Sequence, residues 1–188
     1  MTTNSSLAHI ALFLTIMAPM PIVAQSLAEQ RDERIAAVRD TVDASTVALD
    51  ACCSPKASTR LQTIRLRPKQ FEPVYRASKA IIVTLESGIS YRDYSNVIRP
   101  LLTELALLDD AVSGPDEHVA YEVYRAAANA LIKAGVMWGM ELGMGWKDAP
   151  TKVVKNAWDS ATQALNASNQ VYLRNLRRSP SQTSKAPH

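Results

Sequence analysis

Apolar residues recur in alternating steps of four and three along most of this chain, and that spacing suits one kind of fold. Between positions 94 and 112 the run is Tyr94, Ile98, Leu101, Leu105, Leu108 and Val112. Ala120, Tyr124, Ala127, Leu131, Ala134 and Trp138 repeat it, as do Val154, Trp158, Ala161, Leu165, Ser168 and Tyr172. A helix turns once in about 3.6 residues, so each run becomes a stripe down one helical face. The alternation that a half-buried strand requires is almost missing. Such stripes leave water only by packing on one another. The expected fold is therefore all-α, an antiparallel bundle of four to five helices.

Punctuation in the sequence sets the expected helix ends. The first helix runs from about Leu27 to Asp50, with Ile35, Val38, Val42 and Leu49 as its stripe and Ser45 interrupting it. Residues 54–72 fit either a short helix or an extended connector. The second helix begins near Pro73, since a proline in the first turn gives up an N–H that has no partner there. It stops at Gly88. Ser90, with Asp93 three residues on, is a capping signal for the third helix. Pro100 lies inside that helix and predicts a kink or a break. The fourth spans Pro115 to Gly143 and the fifth about Pro150 to Arg177.

Residues 1–24 carry no charge, and Leu7 to Ala24 is apolar up to Pro19 and Pro21. A short apolar core, then helix-breaking prolines and small residues, reads as a cleaved secretory signal. The apolar stretch is too short, and too broken by proline, for a membrane span. The expected organisation is a signal peptide over 1–24, a bundle over 25–178, and a disordered polar tail over 179–188. The mature chain would begin at Gln25 or Leu27 and be periplasmic or secreted. That location argues against nucleic acid as a partner, although the net charge is +3.

Three groups of residues stand out as candidates. Gly135, Gly139 and Gly143 are four apart and share a helix face, flanked by Met137, Met140 and Met144. Glycine in a helix interior costs about 1 kcal/mol relative to alanine, so three in register imply close approach. They form either a helix-packing face within the bundle or a partner face. Cys52 and Cys53 have no other cysteine to pair with. They allow a vicinal disulfide, a bond between chains, or thiols with a redox or metal role. Tyr91 with Tyr94, and Tyr121 with Tyr124, each share a face and make a possible ligand pocket.

Charge is segregated. Seven bases lie between Lys56 and Lys79 against Glu72, and eight acids between Glu86 and Glu122 against Arg92 and Arg99. The two stretches can complement each other within the fold, or the basic one can make weak contact with a membrane surface. Enzyme signatures are missing. The chain has no Gly-Lys of a phosphate-binding loop, no Gly-x-Ser-x-Gly and no Ser three residues before a Lys. His118 and His188 are the only histidines past the signal. No catalytic residue, metal site or cofactor is expected. The leading expectation is an exported helical bundle acting by protein–protein interaction or envelope assembly. The alternative is a small-ligand-binding or sensor bundle with an aromatic pocket between helices.

Overall fold

A computed structural model describes residues 27–52, 61–143, 145 and 149–179, and among these there is no strand. The proposed signal, the tail past Ser179 and the Cys52–Cys53 pair lie outside the described residues or side chains. The helices are α1 (Leu27–Cys52), α2 (Pro68–Ser87), α3 (Tyr91–Asp109), α4 (Pro115–Gly143) and α5 (Lys152–Arg178). The chain divides into two units, Met1–Glu33 and Arg34–His188. In the first, Arg31 and Asp32 pair at 3.8 Å on the exposed surface of the opening turns of α1. All that follows concerns the second.

Four helices contact one another in a closed order: α2 with α3, α3 with α4, α4 with α5, and α5 with α2. The stripes read from the sequence are the faces that meet. Every stripe residue named for α4 and α5 is buried, as are Tyr94, Ile98, Leu101, Leu105 and Leu108 of α3. The broadest contact is α4 against α5. Ala127, Ala134, Ala157, Ala161 and Ala164 are buried on these helices, and small side chains permit short interaxial distances. On α1, Ile35, Val42 and Leu49 are buried at steps of seven. Ser45, which interrupts that stripe, accepts a 2.7 Å hydrogen bond from Lys133 Nζ of α4.

Two local expectations are corrected, the start of the second helix and the form of the Ser90 cap, and two open ones are narrowed, at Pro100 and in the connector. The second helix starts at Pro68, which takes the first-turn place, and Pro73 lies inside it. Nor does Pro100 break α3, which continues to Asp109. A helical proline deprives the carbonyl four residues back, at Lys69 and Asn96, of its donor. Lys69, Pro73, Asn96 and Pro100 are all exposed, so water can satisfy those carbonyls. The connector is divided: residues 61–63 are helical, 64–67 are not, and 68–72 belong to α2. At Ser90 the cap forms, its hydroxyl oxygen accepting from the Asp93 N–H at 3.3 Å. The Asp93 carboxylate, however, takes the Ser90 hydroxyl at 2.6 Å rather than a backbone N–H.

The unpaired backbone of 64–67 is held by side chains from the far ends of α4 and α5. Asn175 Oδ1 accepts from the Leu66 N–H at 3.3 Å, and its amide donates to the Ile64 carbonyl at 3.1 Å. Asp116 accepts from the Arg65 N–H at 2.8 Å. Glu117, 5% exposed, takes Arg67 through Nε at 2.7 Å and a terminal nitrogen at 2.6 Å, and also accepts from the Arg67 N–H. These bonds to Arg67 hold the Glu117 carboxyl below the usual range, against the opposing effect of burial. The charge segregation seen in the sequence is thus partly spent inside the fold.

Candidate binding groove

The start of α3 and the middle of α4 meet around aromatic rings. Tyr91 and Tyr94 stand one turn apart at the capped end of α3. Both rings lie edge-on to Trp138 of α4, at 5.3 and 5.8 Å between centroids. Trp158 of α5 stacks on Tyr94 at 5.5 Å. The Trp158 indole N–H donates to the Tyr94 hydroxyl at 2.8 Å, which donates to the Leu131 carbonyl at 2.8 Å. Burial drives the Tyr94 hydroxyl well above the ordinary tyrosine range, only partly offset by the Trp158 bond. It is a fixed neutral donor.

The glycine face lies directly against these rings. A Cβ placed on Gly135 would stand 2.6 Å from Tyr94 Cε1, and one on Gly139 would collide with the Tyr91 hydroxyl. Gly143 faces open space. Two of the three glycines therefore admit tyrosine side chains of α3. At both positions the neighbour that comes closest is thus a tyrosine side chain of another helix of the bundle.

Above the rings an open groove of about 450 Å³ runs between α3 and α4. Tyr94, Ile98 and Gly135 form its floor. Ile132 and Val136, one turn apart on α4, form one wall, and Arg92, Ser95 and Arg99 on α3 the other. Tyr91, Ile132 and Val136 are 43%, 39% and 50% exposed. Tyr91 and Leu102 also line the α3 side, so the groove is apolar apart from Ser95 and the two arginines that border it. Arg92 and Arg99 make no ion pair among the described residues.

Tyr121 and Tyr124 are not in this groove, so the four tyrosines line no common pocket. Tyr124 is fully buried and donates to Asn169 Oδ1 at 2.9 Å. The Ser78 hydroxyl stands 2.8 Å from both that oxygen and the Tyr75 carbonyl, and its single proton serves one at a time. Tyr75 stacks on Tyr172 beside them at 4.4 Å. Tyr121 is buried beneath Arg125, whose guanidinium is 5.9 Å from the ring centre. These residues stitch α2, α4 and α5 together.

Sequence reasoning passed over two features. Arg92 and Arg99 counted only as exceptions in an acidic stretch, though seven positions on a helix put them on one face with Ser95. Glu141 is 2% exposed and accepts from the Thr151 hydroxyl at 2.7 Å, while its other oxygen meets no donor among the described residues. An acid inside an apolar run was its only signal. Of the basic stretch, Arg67 and Arg76 pair with Glu117 and Glu72, and Arg65, Lys69 and Lys79 are exposed. Among the described residues no group of acids, histidines or cysteines is placed to hold a metal ion, and no helix is long and apolar enough to cross a membrane. Comparisons with protein-family models, curated proteins and solved structures found no match.

Proposed function

We propose that this chain is an exported, non-catalytic protein that works by docking another protein of the cell envelope in the α3–α4 groove. In this reading residues 1–24 are a signal removed during export to the periplasm or the exterior, and the rest folds as an antiparallel bundle. One observation carries it: Tyr91, Ile132 and Val136 are exposed together along a single groove. Apolar residues scattered on a surface need no explanation, as with Val83, Leu107 and Leu176, but contiguous ones mark interaction sites.

A second reading has support of its own. Tyr91 and Tyr94 line one cavity, whose volume falls in the range of about 300–1,000 Å³ of small-molecule sites. It is the weaker reading because such sites enclose most of their ligand, and both apolar wall residues here stand open.

Co-purification from the native envelope fraction, with intact-mass analysis, tests the leading reading. Wild type and Leu107→Asp should retain the same protein partner, and Val136→Asp should lose it while keeping its helical circular dichroism. The recovered mass should begin at Gln25 or Leu27. An intact Met1 in a cytosolic fraction would refute export. A partner retained by Val136→Asp would refute the groove.

A further inference from the structure

We infer that the groove takes an amphipathic helix of a partner protein that carries two acidic residues about two turns apart beside its apolar stripe; this rests on the docking reading above. Arg92 and Arg99 are seven residues apart on α3 and line the same wall. Seven residues of helix span about 10.5 Å. An occupant lying along the groove therefore passes two arginines whose backbone positions are set at that interval. A helix with acids at positions i and i+7 repeats the interval, and its side chains at i+3 and i+4 fall between them. Facing the cations, Ile132 and Val136 form an apolar wall one turn long, and Gly135 keeps the floor low. A helix laid in a groove is recognised through such an apolar stripe.

Charge complementarity decides among occupants. Neither arginine is in an ion pair among the described residues, so an acidic flank meets two cations with no internal competitor. Groups of this kind at a rim set partner choice and association rate more than raw affinity. An uncharged or basic helix would bury the same apolar wall but leave Arg92 and Arg99 unmatched or repelled. A small anion would satisfy the cations and leave Ile132 and Val136 wet.

The test uses the full chain and two labelled amphipathic peptides with one apolar stripe, carrying two Glu or two Lys seven positions apart. Fluorescence anisotropy reads their affinities. The Glu peptide should bind more tightly at low salt and lose that advantage at high salt, where surface charges are screened. The double reversal Arg92→Glu with Arg99→Glu should weaken the Glu peptide about fivefold or more, each exposed pair being worth a modest amount, and should strengthen the Lys peptide. Val136→Asp should weaken both. Equal binding of the two peptides, or indifference to the double reversal while Val136→Asp still acts, overturns the acidic helix and leaves the docking groove standing. Indifference of both peptides to Val136→Asp overturns the groove and the inference with it. A dimer by sedimentation that Val136→Asp dissociates would put a second copy of this chain there, and also overturns the inference.

Discussion

Adding a single methyl group at Gly135 should destabilise the fold, although glycine is a poor helix former. Alanine in a helix interior ordinarily gains about 0.5–1 kcal/mol over glycine. At Gly135 the new Cβ would lie 2.6 Å from Tyr94 Cε1 and 2.9 Å from Cδ1. Carbon atoms prefer about 3.5–4.0 Å, so the ring must retreat by about 1 Å. It cannot do so freely, because its hydroxyl is held by Trp158 and Leu131 and its ring is stacked on Trp158 and edge-packed with Trp138. Overpacking costs about 1–3 kcal/mol, and each hydrogen bond weakened contributes about 0.5–1.5 kcal/mol. After the helix gain is subtracted, Gly135→Ala should lose about 1–3 kcal/mol in urea denaturation. Gly143→Ala faces open space and should be neutral or slightly stabilising. Gly139→Ala should fall between them, since the colliding Tyr91 hydroxyl ends a half-exposed side chain that can swing away. In combination with Tyr94→Phe, which frees the ring from both bonds, Gly135→Ala should cost less than it does alone. A Gly135→Ala protein as stable as wild type would show that the Tyr94 ring is not seated on this glycine.

Alkaline titration should expose Tyr94 and Tyr124, the two tyrosines that burial shifts most strongly. Burial raises Tyr94 and Tyr124 far above the ordinary range, so the unfolded chain releases these protons first as pH passes about 10. Their contribution is complete below that pH and is lost above it. Tyr94→Phe with Tyr124→Phe should therefore flatten the alkaline fall in stability, and an unchanged alkaline midpoint would contradict this. Glu117 works in the opposite sense. Its lowered pKa contributes stability above the usual glutamate value of about 4.3 and loses it as pH falls through the lower folded value. Wild type and Glu117→Gln should differ in melting temperature near neutrality and converge in acid, so a constant gap would be the contrary result. Asn169→Ala removes the acceptor of the buried Tyr124 hydroxyl and should cost about 2–3 kcal/mol by chemical denaturation.

The helices were legible because periodicity is a property of one segment. Tyr94 to Leu108, Ala120 to Trp138 and Val154 to Tyr172 are buried stripes whatever they pack against. The alanines of α4 and α5 implied that these two pack closely, as they do; which of the other stripes meet was not legible. Ala134 and Gly135 are adjacent in sequence yet about 100° apart around the helix. One lies in the buried stripe of α4 and the other admits Tyr94 of α3. The tyrosine pairs were separable only in the structure, where Tyr91 and Tyr94 line the groove and Tyr121 and Tyr124 do not. A spacing of three places two side chains on one face, but Tyr91 stands in the first turn, where the face runs out of the core, while Tyr94 is inside it. Proline misled because its rule names the lost hydrogen bond, not whether water reaches the carbonyl left behind. Arg92 and Arg99 gained meaning only when the exposed wall of α4 was set opposite them.

A photo-reactive amino acid at Val136, activated in cells of the native host, reads the occupant of the groove most directly. The docking account predicts one discrete cross-linked protein from Val136 and none from Val83, which is equally exposed but lies outside the groove. The acidic-helix inference further predicts that the captured segment is helical and carries two acids about seven residues apart. No adduct at Val136, or the same adducts from both positions, would contradict the central claim.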